Sequence, residues 1–210
     1  MFRCTAIPLC LQEASILYYI TYISIKRPII YYMPNYEVHY LSVSDADAII
    51  IRYEDSGDQY VVLIDAGNVS DSDKIKNDIW NHWKTYTIDL AICTHPDSDH
   101  KGGFFGLLND RDVVINEFWL NTPEDVIRED EYNRLYPKRN RLSHCRECYD
   151  HPTDTDSLNL IDLAVSNKCN VYGAYCGKIH SHIPISVVGP SLNFYHPLAI
   201  EILKNNKRRK

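Results

Sequence analysis

Thr94-His95-Pro96-Asp97-Ser98-Asp99-His100-Lys101-Gly102-Gly103 is the stretch on which the reading of this chain turns. Two imidazoles and two carboxylates fall within six residues, and all four are metal-ligand types. The stretch follows residues 88–93 (IDLAIC), a short apolar run that reads as a buried strand. It leads into Gly102-Gly103, where a helix over 102–108 is expected to begin. Loops at the C-terminal ends of strands are where α/β proteins place their sites. A tight loop turning at Pro96 can aim four side chains at one point, and paired glycines let backbone approach closely. A solvated polar loop, with Asp99 capping the next helix, is the plain alternative. The density of ligand types and their place between strand and helix favour a metal site built from His95, Asp97, Asp99 and His100.

Working outward, residues 36–43 and 46–53 read as strands. Asp55-Ser56-Gly57-Asp58 supplies turn chemistry, and residues 59–64 close a hairpin. Asp71 or Ser72 is a fair cap for a helix reaching Trp83, with Ile75, Ile79 and Trp83 stacked at i, i+4 and i+8. Downstream, residues 113–120, 170–175 and 185–188 read as strands, 158–167 as a helix and 124–140 as a charged, partly helical surface segment. Hairpins followed by alternating strands and helices define an α/β or α+β chain with a mixed sheet. The domain is expected over 36–203, between a segment of residues 1–35 and a basic tail, 204–210. Residues 14–25 form an apolar run of twelve, short of the about 20 needed to span a membrane. Rich in Ile, Tyr and Thr, the run reads as an extra strand or leader, with a signal or membrane segment and an over-long gene start as alternatives.

The chain has 210 residues, enough for one sizeable core. Apolar residues at 45% and charged residues at 24% exclude a disordered or collagen-like chain. Lys+Arg is 22 and Asp+Glu 28, so the net charge is 22 − 28 = −6, which makes nucleic acid a poor electrostatic partner. Seven scattered cysteines read as reduced thiols in a cytoplasmic protein. His144-Cys145-Arg146-Glu147-Cys148-Tyr149-Asp150-His151 contains a C-x-x-C run flanked by histidines. The next cysteines, Cys169 and Cys176, are too loosely spaced for a second pair, so ordinary thiols are favoured over a zinc knuckle. His180-Ser181-His182 places two imidazoles on one face if extended, a candidate supplementary pair.

THPDSDHKGG resembles the His-x-His-x-Asp-His metal motif of the metallo-β-lactamase fold hydrolases, with Asp97 in place of the second histidine. The variant His-x-Asp-x-Asp-His-x-Gly-Gly is similar to that of the metallo-hydrolase domains of bacterial DNA-uptake channel proteins and their stand-alone relatives. Val38-His39-Tyr40-Leu41-Ser42-Val43 with Asp47-Ala48-Ile49-Ile50-Ile51 resembles that group's opening strand pair. Val62-Leu63-Ile64-Asp65-Ala66-Gly67 resembles its third strand and glycine turn, and Ile185-Ser186-Val187-Val188-Gly189-Pro190 a later valine-rich strand.

The resemblance implies an αββα sandwich and a metal-dependent hydrolase acting on an ester, phosphodiester or similar bond of a small molecule. It implies His95 and Asp97 at a first metal, and Asp99 and His100 at a second. Asp99 also orients or deprotonates the attacking water. Zinc is the implied metal, with manganese or iron open because Asp97 is an oxygen donor. Asp65 is implied as a carboxylate that fixes the loop from behind, its alternative being a solvated turn residue. The chain departs from the family in three places. The glycine-rich first turn reads Ser44-Asp45-Ala46-Asp47. The family's bridging aspartate and its late His-His-Gly-Ser-like segment are both expected after Pro190, and neither is present in the 20 residues that follow it. The chain is therefore expected to be a front part of the domain with weak activity, or else a non-catalytic binding or regulatory relative.

Overall fold

Val61, Val62 and Leu63 are three consecutive, almost wholly buried residues, which requires cover on both faces of the strand that carries them. The computed structural model describes residues 35–43 and 45–206. The expectations placed on residues 1–34 and 207–210 lie outside the described residues. Six strands form one mixed sheet in sequence order: β1 (Asn35–Tyr40), β2 (Ile49–Asp55), β3 (Asp58–Ile64), β4 (Thr87–Ile92), β5 (Val114–Trp119) and β6 (Asn170–Tyr172). The pairs β1–β2 and β2–β3 are antiparallel, and the rest are parallel. The β2–β3 hairpin turns on Ser56 and Gly57, both at positive φ (53° and 95°), as a two-residue turn matched to strand twist requires.

Among the described residues, six α-helices accompany the sheet: α1 (Ser72–Trp83), α2 (Ser98–Asn109), α3 (Glu129–Leu135), α4 (Arg141–Arg146), α5 (Leu160–Ser166) and α6 (Leu192–Asn206). Alternation along β3 sorts the core. Val61 and Leu63 pack with Ile75 and Ile79 of α1, Phe104 and Phe105 of α2 and Leu160 of α5. Val62 faces the other way, toward Leu90, Trp119 and Ile183, where the irregular segment 174–187 covers the sheet. A smaller cluster of Ile127, Tyr132, Cys145, Tyr195 and Leu203 joins α3, α4 and α6. Among the described residues, no helix is long and apolar enough to cross a membrane.

The mixed α/β class, the opening hairpin and α1 with its Ile75-Ile79-Trp83 stripe are as the sequence predicts. Three elements differ. Helix α2 begins at Ser98, four residues before the expected start, so Asp99 and His100 belong to its first turn and Asp97 is its N-cap. Gly102 and Gly103 are close-approach positions inside the helix: a Cβ on Gly103 would overlap the Ala66 carbonyl oxygen. Residues 185–188 form no strand: an isolated Ile179–Ser186 bridge is flanked by bonds from His180 N–H to the Ile185 carbonyl, from Val187 N–H to the Lys178 carbonyl and from Gly177 N–H to the Val187 carbonyl. Helix α6, with Pro197 in its interior, is not among the elements expected from sequence. Residues 204–206, expected in the basic tail, complete it.

Candidate metal centre

Asp65 directly follows β3 at φ 54°, a left-handed conformation that aspartate tolerates better than most residues. The turn is stitched to its neighbours through the backbone. Asp65 N–H donates to Ile92 O (2.8 Å), Ala66 N–H to His100 O (2.8 Å) and Gly103 N–H to Gly67 O (3.2 Å). The glycines at 102 and 103 make this approach possible, and it brings the first turn of α2 beside the end of β3.

The Asp65 side chain is buried at the centre of this junction. Its Oδ1 accepts the Thr94 N–H (2.8 Å) and its Oδ2 accepts the Thr94 hydroxyl (2.7 Å). The same Oδ2 lies 2.9 Å from His100 Nδ1. Thr94 Oγ1 in turn lies 2.9 Å from His95 Nδ1. These contacts assign the protons. The Thr94 hydroxyl has one proton and gives it to Asp65, so His95 Nδ1 must donate to Thr94. A carboxylate offers only lone pairs, so His100 Nδ1 donates to Asp65. Each imidazole therefore carries a proton on Nδ1, and its Nε2 faces the opposite side.

On that side stand the other two carboxylates. His95 Nε2 is 3.6 Å from Asp97 Oδ2, and His100 Nε2 is 3.6 Å from Asp99 Oδ2. The two rings lie 3.8 Å apart. At Nε2 each histidine thus faces one aspartate, while His100 Nδ1 has Asp65 at 2.9 Å and Asp47 Oδ2 at 3.9 Å. Asp65, His95 and His100 also form a group, each offering one ligand atom within 4.8 Å of the others. Asp97 and Asp99 stand outside that tight group, with side chains 69% and 41% exposed. Thr94, which links Asp65 to His95, was not singled out from sequence. Its only signal is its position, directly between the strand and the first histidine.

Two cavities flank the 95–99 segment. One, of about 600 Å³, is walled by Tyr149, Phe194, Leu198 and Ile202 and opens on His95. The other, of about 880 Å³, is lined by Asp97, Asp99, Glu147, Asp150 and Asp154, with Lys101 at its base. The Lys101 ammonium is turned into the protein and donates to the Cys148 carbonyl (2.5 Å).

The other histidine and cysteine runs serve packing. Burial pushes the Cys145 and Cys148 thiols up to about 11 and about 12, and among the described residues neither joins a cluster of three ligand atoms. His144 is held by the Tyr132 hydroxyl (2.7 Å) and the Leu203 carbonyl (3.1 Å). His180 sits beside Trp119, and its Nδ1 accepts the N–H groups of His182 and Ile183. Among the described residues, neither His180 nor His182 joins a cluster of three ligand atoms.

Residues 42–195 match the family model described as the metallo-beta-lactamase superfamily, and the chain belongs to that superfamily. No curated protein matches it. Membership implies a metal-dependent, hydrolase-type function with a divalent ion such as zinc. The residues present fit such an ion: two imidazoles each held at Nδ1, with carboxylates opposite Nε2.

Proposed function

We propose that the protein hydrolyses an ester-type bond of a small, partly apolar molecule, with zinc held by His95, Asp97, Asp99 and His100. The reading rests on the Asp65–Thr94 hydrogen-bond system, which turns the free Nε2 atoms of both histidines toward Asp97 and Asp99. The His-x-Asp-x-Asp-His-x-Gly-Gly spacing supports kinship with the metallo-hydrolases of DNA-uptake proteins. Manganese or iron would also suit the oxygen-rich donor set.

A divalent ion at this position supplies Lewis acidity and lowers the pKa of water to near neutrality. The chain's own residues do the rest. Asp65 fixes His100 directly and fixes His95 through Thr94, so neither ring can turn its lone pair away. Asp99, in the first turn of α2 and partly exposed, takes the proton from the attacking water. Tyr149, Phe194 and Leu198 receive the apolar part of the substrate and exclude bulk water. The carboxylates around the second cavity repel a polyanion, which argues against nucleic acid as substrate. Cysteines 93, 145, 148, 169 and 176 are all free, which supports a cytoplasmic location.

The test is turnover of nitrophenyl esters of increasing acyl length, and of bis-nitrophenyl phosphate, by the zinc-loaded chain. Turnover should favour the longer apolar esters, vanish with a chelator and return with zinc. Asp99→Asn should lower kcat by about 10²–10⁴-fold, the range for loss of a general base. Absence of metal-dependent turnover on every ester, or unchanged kcat in Asp99→Asn, overturns the reading.

A further inference from the structure

A second cluster of ligand-type side chains lies where the edge strand β1 meets the last turn of α1. Asp78 and His82 are four residues apart and share one face of α1. His39 reaches that face from β1, which is the outer strand of the sheet among the described residues. One ligand atom from each of His39, Asp78 and His82 lies within 4.8 Å of the others. The cluster is ordered by its surroundings. The His39 side chain is only 9% exposed, and its ring packs on Trp83 at 4.8 Å and edge-on to His82 at 4.5 Å.

The two nitrogens of His39 have different partners. Nδ1 faces Asp78 Oδ2 at 2.6 Å, and Nε2 faces Glu37 Oε1 at 3.2 Å. Glu37 is itself held by the Trp83 indole N–H, which donates to its Oε2 (3.1 Å). A carboxylate on the far nitrogen of a histidine, anchored by a further donor, is the arrangement that orients metal-binding imidazoles. His82 is likewise anchored, with Nδ1 2.9 Å from the Asp78 carbonyl oxygen. Two imidazoles and one carboxylate, all brought together by secondary structure, match the ligand chemistry of zinc.

We propose that His39, Asp78 and His82 bind a divalent transition metal such as zinc, separately from the centre at His95 and His100, and that this ion clamps β1 to α1. Donors around tetrahedral zinc lie about 3.3 Å apart, given metal–nitrogen distances of about 2.0–2.1 Å. His39 Nδ1 and Asp78 Oδ2, now 2.6 Å apart, therefore part by about 0.7 Å to admit the ion, and the partly exposed His82 can join them by a rotamer adjustment. The fourth position is left to water. This site is independent of the proposed hydrolytic function and requires none of its residues.

The probe is zinc alone, measured as equivalents retained by the full chain after gel filtration, with circular dichroism as the check on folding. The variant His95→Ala/His100→Ala should still retain one equivalent and show a zinc-induced rise in Tm. Adding His82→Ala, a substitution at a partly exposed position, should remove both. In the otherwise unchanged chain, His82→Ala should lower the zinc content by one equivalent. If the double variant does not fold, this last comparison decides the matter alone. Zinc content unaffected by His82→Ala, or a folded double variant that retains none, overturns the proposal.

Discussion

Asp65→Asn isolates the group that, in the proposed reading, orients the two histidines rather than holding the metal. Asparagine keeps the size of the side chain and tolerates the left-handed backbone at position 65. Its carbonyl oxygen can still accept the Thr94 N–H. Its amide NH₂, however, replaces the oxygen that accepts from both the Thr94 hydroxyl and His100 Nδ1. Two donors then face each other. The Thr94 hydroxyl can rotate, but the imidazole can answer only by moving its proton to Nε2 and accepting at Nδ1. That shift removes the lone pair from the side where Asp99 stands. Loss of such an orienting partner weakens metal binding by about 10–100-fold, which is about 1.4–2.7 kcal/mol. The assay is zinc competition against a chelating dye in a chain carrying His82→Ala, so that only this centre is read. Nitrogen-15 NMR of the metal-free chain should show the His100 tautomer changing from Nδ1–H to Nε2–H. An Asp65→Asn chain that binds zinc within twofold of its parent, or that keeps the Nδ1–H form at His100, refutes the reasoning.

Other consequences can be checked on the same chain. Gly103→Ala gains about 1 kcal/mol of helix propensity but drives a methyl into the Ala66 carbonyl oxygen, a backbone atom that cannot swing aside. Overpacking of that kind costs about 1–3 kcal/mol, so urea denaturation should show net destabilisation. Burial lowers the His39 pKa, yet the Asp78 and Glu37 carboxylates outweigh it and hold it above 6.5. With chelator present, the stability His39 contributes should be complete below about pH 6.5 and lost as pH rises through the elevated value, a slope that His39→Gln should flatten. Cys145 and Cys148, pushed up to about 11 and about 12 by burial, should escape iodoacetamide in the native protein while exposed Cys176 is labelled, as peptide mapping would show.

The candidate ligand run stands out in the sequence because it is dense and local. His95, Asp97, Asp99 and His100 declare themselves within six residues, and the LIDAG segment announces the loop that meets them. The start of α2 was misread because Gly102-Gly103 looks like a helix boundary, whereas these glycines let the helix press against the loop after β3. The role of Thr94 was hidden because a hydroxyl linking a carboxylate to an imidazole leaves no spacing pattern; only the fold brings Asp65 across to it. The same holds for His39, Asp78 and His82. They are separated by up to 43 positions (82 − 39) and meet only because β1 lies against α1. Helix α6 was missed because its stability comes from packing Tyr195, Ala199 and Leu203 on α3 and α4, which no local preference records.

The most direct test of the account is zinc affinity at the paired histidines, measured in the His82→Ala chain before and after adding His95→Ala and His100→Ala. The account predicts saturable zinc binding in the parent and affinity weakened by more than about 100-fold in the triple variant, since removing direct ligands should exceed the effect of removing an orienting partner. Equal zinc binding by the two folded chains would contradict it.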